Sequence, residues 1–348
     1  MYCMYYINGK FLTQKQTGAQ RYAKEIVSNL DELCEAEVFS IVIPKGTWEV
    51  PTYRKIKVVQ IGPFKGVLWE QITYPLYVLN KGGISLNLCN VAPLLSPGYS
   101  TIFDMKINSF PNFFSWKFRV WYKLLFVNQT KRCKVIFTDS QDAKNEILKY
   151  YPSTDSKKII PAHGAWQHFQ RIEYDEHALS KYGLEKDNFF FAMGSLEPNK
   201  NFKWVAEIAK RNSSFLFAVA GSMNPKVFAD GLGFNCPDNM KLLGFVSDEE
   251  AKTLMRDAKA FLFPSFCEGF GMPPLEAMSA ACPRIVVSDL PVMHEIFEEN
   301  VIYVNPNKYD YDLSVLLQDS KCDVESVLGR FSWKESAKII YNTLNTIT

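Results

Sequence analysis

Short apolar runs alternate with segments of helical period along most of this chain, and that alternation restricts it to α/β architecture built on parallel sheets. In the first half, residues 38–44, 99–105 and 134–140 have the apolar character of buried strands. Helical spacing follows at 21–33 and 141–151. In the second half the strand candidates are 188–196, 215–222, 240–246, 260–266 and 284–289, with helices at 202–211 and 248–259 between them. A polar stretch at 162–174 separates the two series and is the expected domain boundary. A final helical segment, 332–345, opens with Ser332 as its N-cap. At roughly 100–200 residues per domain, the length suits two domains, each able to bury its own core. Two doubly wound units take a ligand in the cleft between them, at the carboxyl ends of their strands.

Charge is balanced in sum and unbalanced in place. The chain has 39 Lys and Arg against 37 Asp and Glu, a formal charge of +2, without the basic excess of a dedicated nucleic-acid binder. Residues 1–165 hold 21 basic and 12 acidic side chains, or +9, and the remainder holds 18 and 25, or −7. Opposite halves point to different partners for each. The eight cysteines show no C-x-x-C spacing and no histidine beside them, so they read as free thiols in a reducing compartment. The start, MYCMYYINGKF, lacks the regions of a secretory leader, and no stretch reaches the ~18 apolar residues of a spanning helix. The expected location is the cytoplasm, with room for peripheral contact with a membrane.

The chemistry concentrates in residues 263–289. A strand ends near Phe266, the loop CEGFGMPP follows, and Leu275-Glu276-Ala277-Met278 opens a helix. Gly269 and Gly271 permit a sharp turn and a close ligand approach, and the N–H groups of the helix start offer an anion site. Glu268 lies in the loop and Glu276 in the first helical turn, where two carboxylates could accept bonds from sugar hydroxyls. The alternative is that Gly and Pro merely shape a turn and the glutamates favour the helix dipole.

The string EGFGMPPLEAM resembles the E-x7-E motif of the retaining glycosyltransferases of family 4, which have the GT-B fold. Four further segments agree with it in order: TGAQRYAKEI (17–26), IFTDSQDAKNEI (136–147), MGSLEPNKNF (193–202) and FSWKESAKIIY (331–341). The likeness is greatest to the bacterial O-antigen and capsule branch, including mannosyl- and rhamnosyltransferases. It implies two Rossmann-like domains facing a central cleft: 1–165 for the acceptor and 166–331 for the nucleotide sugar, with 332–348 as a helix returning to the first.

The resemblance also implies roles for residues. Glu268 and Lys200 would be catalytic, Glu268 supporting the sugar and Lys200 neutralising the departing diphosphate. Glu276 would accept the ribose hydroxyls, with Phe270, Gly271, Met272, Leu275, Gly194 and Ser195 completing the donor site. Gly18, Arg21 and Asp104 would stand at the cleft in the first domain. Arg21 could equally brace its own helix. The chain departs from the pattern at Ser195, where many relatives carry arginine, and at Phe103, where a histidine is usual.

His163, His168, His177 and His294 have no metal-ligand spacing, and Asp310-Tyr311-Asp312 reads as a solvated loop, so no metal or other cofactor is expected. His294 reads as structural. Residues 110–126 interleave aromatics with Lys117, Arg119 and Lys123, as in an interfacial amphipathic helix or an ordinary helix packed on the core. The expected function is retaining transfer of a sugar, GDP-mannose-like donors favoured, to a glycan carried on undecaprenyl diphosphate. A GT-B epimerase and a non-catalytic GT-B scaffold are the alternatives.

Overall fold

The computed structural model describes residues 4–35, 37–47, 50–195, 197–221, 236–318 and 322–346. Cys3, Leu196 and Ser222, each part of a sequence expectation above, lie outside the described residues. The chain divides into two compact units: Met1–Gly164 together with Ser332–Thr348, and Ala165–Phe331.

The first unit holds a seven-stranded sheet in the order β3-β2-β1-β4-β5-β6-β7. Its strands are β1 (Tyr5–Asn8), β2 (Phe39–Pro44), β3 (Lys57–Ile61), β4 (Ile84–Asn87), β5 (Tyr99–Thr101), β6 (Val135–Thr138) and β7 (Ile159–Pro161), every pairing parallel. Burial on both faces explains the unbroken apolar runs of β2 and β6. The segment expected over 99–105 stops at Thr101. The helix Gly18–Leu33 buries Tyr22, Ala23, Ile26, Val27 and Leu30, a spacing of three and four that faces one side toward the core. The last helix, Trp333–Thr346, packs on it, and Tyr5 Oη–H ties strand β1 to the carbonyl of Leu344 at 2.7 Å.

Between β3 and β4 runs a helical segment, 66–80, with one wide turn at Trp69–Thr73. Tyr74 N–H reaches five residues back to Trp69 O, and Pro75, which has no N–H to donate, follows directly. The wide turn buries Trp69 and Glu70.

The helix expected at 110–126 forms instead over Trp116–Arg132, after a 3-10 turn at Pro111–Phe113, with Ser115 Oγ accepting Phe118 N–H at 3.4 Å. It differs from an ordinary amphipathic helix in having two opposed apolar faces. Phe126 points into the core, whereas Trp116, Val120 and Leu124, spaced by four, are 67%, 62% and 49% exposed.

The second unit carries a six-stranded parallel sheet, β10-β9-β8-β11-β12-β13. The strands are β8 (Phe189–Met193), β9 (Leu216–Ala220), β10 (Met240–Gly244), β11 (Ala260–Phe263), β12 (Ile285–Ser288) and β13 (Ile302–Val304). Helices Phe202–Arg211 and Asp248–Asp257 connect them, the second opened by a capping box in which Ser247 and Glu250 exchange bonds. Strand order reverses between β8 and β11, and the corresponding reversal in the first unit lies between β1 and β4. Such reversals open a crevice at the strand ends, where the following loops diverge. No helix among the described residues is long and apolar enough to cross a membrane.

Candidate active site

In the second unit the loops leaving β8 and β11 meet at the reversal point. Three hydrogen bonds stitch this region: Phe266 N–H to Asn199 O at 2.8 Å, and Asn201 Nδ2 to Pro264 O and to Pro306 O, each at 2.9 Å. Asn201 occupies the left-handed region (φ 54°), a conformation asparagine tolerates. Lys200 is thereby held over the face of Phe263, 4.9 Å from the ring centroid, with Nζ 2.6 Å from Glu268 Oε1. Both side chains are largely buried, so the two form a pair shielded from solvent. Gly194 lies beneath this lysine: a Cβ there would meet Lys200 Cγ at 3.4 Å. Ser195 is half-buried on the same loop.

After Glu268 the chain makes its turn at Gly271 (φ 107°), a conformation that favours glycine, and enters the helix Met272–Ser279. Pro273 and Pro274 occupy its next positions and carry no N–H, so the helix start offers fewer donors than the sequence reading supposed. The backbone donors left at this helix start are the turn amides up to Met272. Glu276 is the fifth helical residue, in the second turn rather than the first.

The side chains of two donor-site candidates turn inward. Leu275 is fully buried, and Phe270 is 3% exposed with its ring edge-to-face against Phe331 at 5.2 Å. Their side chains shape the turn from behind, and Phe270 can meet a ligand only through its backbone.

Glu276 is 7% exposed, and its Oε1 accepts from His168 Nε2 at 2.9 Å. His168 is itself 3% exposed, on the short helix Gln167–Gln170. In the sequence it is one of four histidines without metal-ligand spacing. The pairing spans 108 positions, so no local pattern could have revealed it. The structure thus forms two pairs within one unit, Lys200 with Glu268 across the loops leaving β8 and β11, and Glu276 with His168 across two helices.

At the reversal point of the first unit lies a cavity of about 180 Å³, lined by residues including Asn8, Lys10, Gln14, Gln20, Glu70 and Tyr122. Lys10 Nζ bonds Glu70 Oε2 at 2.7 Å, and Asn8 Nδ2 reaches Asn87 Oδ1 at 3.1 Å. Sequence reading missed this polar group. Gly18, Arg21 and Asp104 do not line the cavity: Gly18 opens the helix whose Ala19 and Gln20 do, Arg21 is half-buried one position further, and Asp104 caps the backbone N–H of Lys106 at 3.1 Å. Phe103, at the position of the usual histidine, is 8% exposed and stands edge-to-face with Tyr22 at 5.0 Å, a core contact rather than a polar one.

Other candidates resolve into structural roles. His294 Nε2 lies 2.7 Å from Asp289 Oδ1 and the ring stacks on Tyr303. Asp312 caps the turn at Leu313 and Asp310 pairs with Lys308 at 3.6 Å. The cysteines among the described residues are free thiols.

A lysine–glutamate pair and a buried glutamate around a Gly-Pro turn thus stand at the strand-order reversal of a parallel α/β unit, the place where doubly wound folds take their ligands. Residues 176–316 match the family described as Glycosyl transferases group 1. The chain is a glycosyltransferase of the GT-B fold. It is 29% identical to the O-antigen chain mannosyltransferase RfbU of Salmonella typhimurium, over 86% of each chain. It is 27% identical to the serotype-specific mannosyltransferase WbdA of Escherichia coli over 60% of its length, which is 28% of that longer relative. Among solved structures, the sucrose-phosphate synthase of Thermosynechococcus elongatus superposes with a TM-score of 0.76 at 13% identity, covering 100% of both chains. Anabaena HepE, solved with UDP and glucose, gives 0.72 at 13% identity over 99% of this chain and 100% of that one.

Proposed function

We propose that this glycosyltransferase moves mannose from GDP-mannose to a lipid-linked glycan in O-antigen or capsule assembly, keeping the α configuration. The observation that carries the reading is the Lys200–Glu268 pair, held between the two loops of the strand-order reversal. Similarity to the mannosyltransferases RfbU and WbdA supports the sugar. Glu276, oriented by His168, accepts the ribose hydroxyls. Glu268 bonds hydroxyls of the sugar.

On donor binding Lys200 turns from Glu268 toward the diphosphate. A fixed cation there stabilises charge that grows as the bond from the sugar's anomeric carbon to phosphate breaks. The acceptor hydroxyl attacks from the same face, forming the new bond to that carbon, and gives its proton to the leaving phosphate. No protein nucleophile and no metal take part. The polar cavity of the first unit, with Lys10, Glu70 and Asn8, holds the acceptor sugar. The acceptor is carried on undecaprenyl diphosphate, and the enzyme works at the cytoplasmic face of the membrane.

A thermal-shift series with GDP-, UDP- and dTDP-sugars tests the donor, because a ligand that binds only the folded form raises its stability. GDP-mannose should give the largest shift, and Glu276→Ala should remove most of it. A UDP-sugar giving the largest shift would overturn the donor, and product analysis separates transfer from epimerisation.

A further inference from the structure

Eleven of the fifteen large hydrophobic side chains exposed among the described residues fall between Phe64 and Leu124. They lie mainly on two helices. In the segment 66–80, Leu68, Ile72, Leu76 and Leu79 recur at three and four residues and point away from the buried Trp69, Tyr74 and Val78. In the helix Trp116–Arg132, Trp116, Val120 and Leu124 do the same, opposite Phe126. The two helices are neighbours, since Glu70 of one and Tyr122 of the other line the same cavity. The loop between them joins both: Leu94 N–H donates to Gln71 Oε1 at 3.0 Å, and Arg132 Nη1 donates to Leu94 O at 2.7 Å. Leu95 on that loop is exposed as well. Concentrated exposure of this kind marks an interaction surface.

The charge around these stripes selects the partner. Residues 57–134 hold ten basic side chains and two acidic ones, which is +8 of the +9 carried by residues 1–165. One of the two acids, Glu70, is buried against Lys10. Lys65, Lys81, Lys117, Arg119 and Lys123 are exposed. On the second helix Arg119 and Lys123 lie to one side of the apolar line and Lys117 to the other. Two copies of so basic a face would repel each other.

We infer that the two helices together form a docking surface for an anionic lipid bilayer, the apolar stripes entering the interface and the flanking cations lying at the headgroups. This docking rests on the peripheral association proposed above and adds to it the segment 66–80, which has no basic cluster of its own. It sets the acceptor cavity beside the membrane, where a sugar on a lipid carrier would be met.

Sedimentation of the full chain with phosphatidylglycerol–phosphatidylcholine vesicles and with pure phosphatidylcholine vesicles tests it. The chain should pellet with the anionic vesicles and be released by salt. Leu68→Ser with Leu76→Ser, and separately Val120→Ser with Leu124→Ser, should each lower partitioning by about tenfold or more. The GDP-mannose thermal shift should stay at its wild-type size, because none of these residues lies in the donor unit. Unchanged partitioning in either double variant overturns the two-helix surface. So does a wild-type chain that ignores the vesicles and doubles its mass in light scattering. Stripe-dependent partitioning without any sugar-nucleotide shift would sustain the docking and refute the donor reading.

Discussion

Glu276 and Lys200 each stand in a paired, largely buried environment, and the partner decides what a substitution does. Removing Glu276 leaves His168 facing a gap and removes the proposed ribose contact. Glu276→Ala should raise the KM for the donor by about tenfold or more, the loss of charged hydrogen bonds, with a smaller effect on kcat. His168→Ala should reproduce part of that KM increase. His168→Gln, which keeps a donor near Glu276 Oε1, should restore much of it in the same steady-state assay. A purely structural histidine would show loss of stability without this split. Lys200 acts mainly on turnover: Lys200→Ala should lower kcat by about 100- to 1000-fold with a smaller loss of donor affinity, because its charge matters most as the diphosphate departs. Wild-type turnover in Lys200→Ala would remove the lysine from the reaction.

Some elements explain themselves locally and others only through distant contacts. Asp31, near the end of the first long helix, accepts three backbone N–H bonds from Arg54, Lys55 and Ile56, each at 2.8 Å, and so fastens the approach to the edge strand β3. Burial alone would raise its pKa. The three donors outweigh burial and hold it below the ordinary value of 3.8. A carboxylate with a depressed folded pKa stabilises the fold above its unfolded pKa and loses that contribution as pH falls through the folded one. Asp31→Asn should therefore cost on the order of 2–3 kcal/mol at neutral pH in denaturant unfolding. The gap to wild type should narrow as pH falls below 3.8. A constant gap would show that the carboxylate charge is irrelevant there.

The same contrast governs what was legible in the sequence. Strands β2, β6, β8, β9, β11 and β12 announce themselves as apolar runs because both faces are buried, and β10 does so by its apolar residues although it is a partly exposed edge strand. Strands β1, β3, β4, β7 and β13 do not, being three to five residues long and, for β3, partly exposed at the sheet edge. The loop carrying Glu268 and Glu276 is a local pattern and could be found. The Lys200–Glu268 and His168–Glu276 pairs, 68 and 108 positions apart, are products of the sheet order, and so is the Lys10–Glu70 pair in the first unit. For Leu275 and Phe270 the motif names residues of the turn and does not say that their side chains point inward.

For the whole molecule, near-neutral charge conceals a division of labour. The basic excess of the first unit is concentrated in 57–134, on and around two helices with outward apolar stripes. The second unit, despite its acidic sum, gathers a buried lysine at the point where its strand order reverses. The central claim is that this point performs a retaining transfer from a sugar nucleotide. The most direct measurement is NMR analysis of the product formed from GDP-mannose and an undecaprenyl-diphosphate-linked saccharide. GDP should be released in step with a new α-mannosidic linkage, and Lys200→Ala should slow both together. A β-linked product, an epimerised nucleotide sugar, or no GDP release by the wild-type chain would contradict the account.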